Sequence, residues 1–182
     1  MEQRTTGEAI YTFTIPLFIR GLETIGRILT KAEAHAKAAG IEMQTLLDAQ
    51  LRPDMFNLLQ QVQYACFLPV DFARHFSKQE APRVGYDEES LKDLKASIGK
   101  TIDYLKAVDP EHIRGKEKHA LPLFFDETLG LPPQEHAARV MLPDFFFHVT
   151  TAYCILRHKG VPLGKFDFLG PHGAEKIGQA KS

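Results

Sequence analysis

Asp144 and His148 stand four residues apart in the stretch LPDFFFHVTTAYCILRHKGVPLGKFDFLG, which runs from Leu142 to Gly170. On a helix that spacing puts a carboxylate and an imidazole on one face, one turn apart. Two chemistries are open to such a pair. His148 can serve as a general base or acid, because an imidazole's ordinary pKa of ~6.5 keeps both protonation forms available near neutrality, and Asp144 can orient it. Both side chains can also ligate a divalent ion, zinc or nickel, as facing helices of a bundle often do. A catalytic zinc takes about three protein ligands, and the spacing identifies no third. The plain structural alternative is that Asp144 caps the start of a helix while His148 makes one hydrogen bond in an apolar setting.

Substrate-positioning groups would have to come from a facing helix, and the stretch NLLQQVQY offers Gln60, Gln63 and Tyr64. Amides at Gln60 and Gln63 could orient a ligand or hydrogen-bond His148, whereas Gln61 reads as solvent-facing. Phe145, Phe146 and Phe147 occupy three adjacent positions, so one ring must point outward. Phe147 is the candidate to line a pocket beside His148, and the surplus ring also suits a homodimer interface. His35 and His75 read as surface residues near helix ends. His112, His119 and His136 share no ligand spacing, His158 suits a helix C-terminus, and His172 falls in the tail. No HExxH, paired CxxC, GxSxG or phosphate-loop motif occurs.

The elements that must hold these residues are helical. Phe18, Leu22, Ile25, Leu29, Ala32 and Ala36 step by threes and fours, ending at a Gly40 cap. A short amphipathic piece, MQTLLDAQL, follows. A second helix is expected from Pro53 and Asp54, with Met55, Leu59, Val62 and Cys66 as its stripe, and with a kink or break at Pro69. A third carries Leu91, Leu94, Ile98, Ile102 and Leu105, with Asp87, Glu88 and Glu89 complementing its positive end. The fourth starts near Pro143 and stops at Gly160. Between the third and fourth, KHALPLFFDETLGLPPQEHAARVML reads as a hairpin or long loop. The arm PLGKFDFLG should dock on the bundle. The expected fold is all-α: one four-helix-bundle domain over residues 1–170, with a long irregular connection before the last long helix and a flexible tail over 171–182.

The chain has 182 residues, with 22 Lys plus Arg against 23 Asp plus Glu. A balance so near zero argues against sequence-independent binding of nucleic acid. No apolar run reaches the ~20 residues needed to span a bilayer, and the N-terminus has no signal-peptide pattern, so a cytoplasmic protein without a membrane partner is expected. Cys66 and Cys154 read as buried, reduced thiols.

The segments TIPLFIRGLETIGRILTKAEAHA, LRPDMFNLLQQVQYAC and LPDFFFHVTTAYCILRHKGVPLGKFDFLG together resemble a mostly bacterial family, the domain-of-unknown-function family nineteen ninety-three, over roughly Tyr11 to Gly170. That family is grouped with the DinB/YfiT-like bundles, which include thiol-dependent S-transferases and a maleylpyruvate isomerase. The resemblance implies a four-helix bundle with a long crossover, and a metal site of one histidine on the second helix and two, four apart, on the last. Here His148 falls on the second of that pair, Asp144 on the first, and the remaining ligand falls near Gln63, within three residues either way. A degraded triad implies a non-catalytic or small-molecule-binding homodimer with no assured cofactor. The other expectation is a metal-dependent enzyme of the thiol-transferase or isomerase type using His148 and Asp144.

Overall fold

A computed structural model describes residues 6–171. Four long helices form the bundle: α2 (Ile15–Ala39), α4 (Leu58–Ala73), α5 (Leu91–Lys106) and α7 (Leu142–His158). Shorter helices are α1 (Thr6–Thr12), α3 (Met43–Leu47), α6 (Pro133–His136) and α8 (Lys165–Leu169). Helix α2 packs on α5 and α7, and α4 packs on the same two, so the four run around a square with α7 and α5 at opposite corners. The stripe Phe18, Leu22, Ile25, Leu29, Ala32 and Ala36 is buried along α2 as its spacing predicts. Gly40 and Gly160, at φ 65° and 85°, close α2 and α7 in the left-handed conformation a glycine adopts without a Cβ clash.

The close approach of α2 to α7 depends on a missing side chain. A Cβ on Gly21 would lie 2.3 Å from the Phe145 ring. That gap lets Phe145 enter the core and meet Phe18 edge-on, with ring centroids 5.1 Å apart.

Several element boundaries differ from the sequence expectation. Helix α4 does not begin at Pro53 and Asp54. It begins at Leu58, because Asn57 and Gln60 form a reciprocal capping box: the Asn57 side chain accepts from the Gln60 amide and the Gln60 side chain accepts from the Asn57 amide. Met55 therefore lies outside the helix. Pro69 does not break α4, which continues through it to Ala73. Ahead of α5 the cap is Ser90 with Asp93, also a reciprocal box, so Asp87, Glu88 and Glu89 precede the helix. Asp87 pairs with Arg83 at the surface, and Glu88 is buried.

The irregular region divides in two. Strands β1 (Leu121–Leu123) and β2 (Asp126–Leu131) form an antiparallel hairpin, with Leu121 opposite Leu131 and an irregularity at Leu123. From Pro133 the chain is helical, where a hairpin or loop was expected up to Leu142. Helix α6 runs through a π turn over Ala137–Met141 directly into α7. The consecutive prolines 132 and 133 explain the start, since a proline suits a helix's first turn. Asp144 therefore does not cap an open helix end: a helical turn already precedes it, and the first turn of α7 has no side-chain cap.

The C-terminal arm docks as expected. The Thr24 hydroxyl donates to the Phe168 carbonyl, Arg20 donates to that of Leu169, and the Phe168 ring meets Tyr153 edge-on. Phe166 stays exposed. The tail assigned to 171–182 lies, after Pro171, outside the described residues. Among the described residues no helix is long and apolar enough to cross a membrane.

Candidate functional site

Helices α4 and α7 bring His148 and Asp144 against a residue the sequence reading sent to solvent. Gln61 is 1% exposed, and its side-chain oxygen lies 2.7 Å from His148 Nδ1. The orientation of the amide is fixed at its other end, where Nε2 donates to the Phe56 carbonyl at 3.1 Å. An amide whose nitrogen is committed to a carbonyl presents its oxygen to the ring. His148 Nδ1 must then carry the proton it donates, so the neutral ring has its lone pair at Nε2.

That second nitrogen faces Asp144, with Nε2 and Oδ1 3.4 Å apart. A lone pair and a carboxylate are both acceptors and do not satisfy each other. A proton on Nε2 completes the pair, and so does a donor group brought by a ligand. His148 is nearly enclosed while the Asp144 side chain is about one-third exposed, so the pair opens to solvent on the carboxylate side.

Three aromatic rings frame the imidazole. Phe56 stacks on it at 6.2 Å between centroids, Tyr64 lies 5.2 Å away, and Phe147 meets it edge-on at 5.4 Å. Phe147 is the outward ring of the three adjacent phenylalanines, 54% exposed, whereas Phe145 is fully buried and Phe146 packs partly against the core. Of the residues expected to position a substrate, Tyr64 and Phe147 lie against the His148 ring. Gln60 and Gln63 do not: Gln60 is spent on the capping box, and Gln63 donates to the Glu88 carbonyl at 3.0 Å. Sequence reasoning missed Gln61 and Phe56. The available signal was the row Gln61, Ala65, Leu68 at helical spacing, which places Gln61 on a buried face once α4 starts at Leu58.

The metal triad implied by the resemblance does not assemble. The Gln61 oxygen engages Nδ1, on the edge of the ring away from the nitrogen that faces Asp144, so Gln61 and Asp144 do not converge on one point. Among the described residues no group of three or more His, Cys, Asp or Glu is placed to hold a metal ion. The donors present do not fit zinc or nickel.

Several other titratable groups are held within the scaffold. Burial, and then the Glu88 charge, push the Cys66 thiol up to about 12, so it is unreactive near neutrality. Cys154 is also a free thiol but only half-buried, against the expectation for it. His75 is half-buried rather than fully on the surface: its Nε2 is buried without a hydrogen-bond partner among the described residues, and burial holds the ring's pKa below its usual range. His136, expected in irregular chain, is fully buried on α6 and donates from Nε2 to the Pro122 carbonyl, pinning the hairpin to the bundle.

Comparison with known proteins agrees with the fold. A family model described as a domain of unknown function, DUF1993, matches residues 10–169. Among solved structures, the crystal structure of a DinB family member protein from Shewanella denitrificans matches with a TM-score of 0.86 and 31% sequence identity, over 93% of this chain and 97% of that one. No curated protein matches.

Proposed function

The chain belongs to the DUF1993 family, and from that premise we propose that it is a small-molecule-binding, homodimeric helical bundle whose site is centred on His148 and Asp144. The observation that carries the reading is the hydrogen bond from His148 Nδ1 to Gln61, whose amide is itself anchored on Phe56. It leaves Nε2 as an acceptor beside a second acceptor. The ligand that fits brings an O–H, N–H or S–H group into that position, against the rings of Tyr64, Phe56 and Phe147. An imidazole so placed is equipped to take a proton from the bound group, with Asp144 stabilising the imidazolium that results.

The homodimer is supported by the surplus aromatic surface, Phe147 among it. Aromatic side chains exposed on one face are enriched at interfaces between chains.

The test is the metal content of the purified, untagged protein, with its melting shift on added zinc and nickel, in wild type and His148→Ala. Absence of metal and equal shifts in the two proteins are expected. About one metal per chain, lost in the variant, would overturn the reading in favour of a metal-dependent enzyme. Sedimentation equilibrium tests the second half, with a two-chain mass expected and a one-chain mass contradicting it.

A further inference from the structure

A second cavity, of about 330 Å³, opens between α4, the 77–90 connection and the tip of the hairpin. Its size is at the lower end of the ~300–1,000 Å³ that ligand pockets occupy. Three aromatic rings line it: Phe67, Tyr86 and Phe124. Tyr86 and Phe124 both stand nearly perpendicular to Phe67, at 73° and 81°, with centroids 5.7 and 6.3 Å from it. All three rings line the hollow, and an aromatic ring carries the negative part of its quadrupole on its face.

The charged lining is Asp71, Arg74 and Glu127. Asp71 is 6% exposed. Its Oδ1 accepts from Arg74 Nε at 2.9 Å, while Oδ2 has no hydrogen-bond partner among the described residues. Two carboxylates against one guanidinium leave the lining negative. Burial first, and then the Asp71 charge, raise the Tyr86 phenol above its ordinary range, against the opposing pulls of Arg74 and Arg83.

We propose that this cavity is a binding site for a small alkylated ammonium ion, held by cation–π contact with Phe67, Tyr86 and Phe124 and by the free oxygen of Asp71. An anion would meet a lining with one more carboxylate than guanidinium. A neutral apolar molecule would leave the Asp71 oxygen desolvated without a partner. A cation satisfies both, and aromatic boxes are an established way of recognising quaternary ammonium groups. The site lies along α4 from His148: ten residues separate Gln61 from Asp71, about 15 Å of helix. It is a site separate from the His148 pair.

Isothermal titration calorimetry with choline tests this, set against 3,3-dimethylbutan-1-ol, which has the same shape without the charge. Saturable choline binding is expected, at least about threefold tighter than the alcohol, as a cation–π contact at a partly exposed site implies. Asp71→Asn and Phe124→Leu should each weaken it by about the same factor, with circular dichroism showing that both variants fold, and His148→Ala should leave it unchanged. Absence of saturable binding in the millimolar range, equal binding of the alcohol, or unchanged choline binding in a folded Phe124→Leu protein would each overturn the proposal. So would loss of binding in His148→Ala.

Discussion

Gln61 and Gln63 sit two residues apart on α4 and serve opposite kinds of polar cluster. Gln63 holds the 77–90 connection by donating to the Glu88 carbonyl. There one oxygen of the Glu88 carboxylate is matched with donors: Oε1 accepts from the Gly85 amide and from the Ser97 hydroxyl, while Oε2 is buried without a hydrogen-bond partner among the described residues. Gly85 adopts φ 83°, and a Cβ there would lie 2.6 Å from the Gln63 carbonyl, so the glycine is what lets the connection close on the helix. Gln61, by contrast, holds His148 with one nitrogen satisfied and leaves the other facing a carboxylate. A buried acid whose one oxygen ties a loop amide to a helix hydroxyl holds a fold together. An acceptor turned toward another acceptor at the edge of solvent awaits a partner, and this difference separates scaffold from site.

The comparison can be broken most severely at Glu88. Replacing Glu88 with Leu strands the Gly85 amide and the Ser97 hydroxyl, and a loss of about 3 kcal/mol is expected in urea unfolding, at ~1–3 kcal/mol per unmet buried group. A loss under about 1 kcal/mol would mean that the cluster is not structural. Acidification attacks the same scaffold. Burial alone would raise the Glu88 pKa, but the Ser97 and Gly85 hydrogen bonds hold it below the ordinary 4.5. Its contribution is therefore complete above that value and is lost as pH falls through the depressed one.

His136 acts at higher pH. Burial keeps its pKa below 6.5, against the opposing pulls of the Pro122 hydrogen bond and the Asp71 charge. Nδ1 is buried with no acceptor beside it. A ring that prefers to stay neutral contributes fully above pH 6.5 and loses its contribution as pH falls through the lowered value. A Tm that declines from pH 6.5 downward is expected, and a His136→Gln protein should decline less over that window. Identical profiles would remove His136 from the account.

At the candidate site the expected stability effects are smaller and those on binding larger. Gln61→Leu leaves the Nδ1–H of His148 unmet and should cost about 1–2 kcal/mol. Asp144→Asn should cost less than about 1 kcal/mol, because the carboxylate is partly solvated. If Asp144→Asn proved as costly as Glu88→Leu, Asp144 would belong to the scaffold and the contrast would collapse.

Much of the bundle is legible in the sequence because a single helix face reports its own burial. The α2 stripe, the Gly40 and Gly160 stops, and the Asp144–His148 face need only local periodicity. What escapes are features set by competition between nearby signals. Pro53 and Asp54 look like a helix start, yet the Asn57–Gln60 box lies four residues further on and satisfies two orphan amides where a proline satisfies none. The segment from Pro133 to Met141 carries turn residues and no clear period, and it is helical because it continues into α7. Gln61 was legible in principle, but its partner lies 87 residues away, and no local pattern states which of two neighbouring glutamines will face it.

The most direct test of the distinction is the protonation pattern of the His148 ring, read by long-range ¹H–¹⁵N correlation NMR at a pH where the ring is neutral, in wild type and Gln61→Leu. The account predicts the Nδ1–H tautomer in wild type, with its preference relaxed in the variant. An Nε2–H tautomer in the wild-type protein would mean that Asp144, not Gln61, holds the proton-bearing edge. His148 would then be a satisfied structural residue, with no lone pair to offer a ligand.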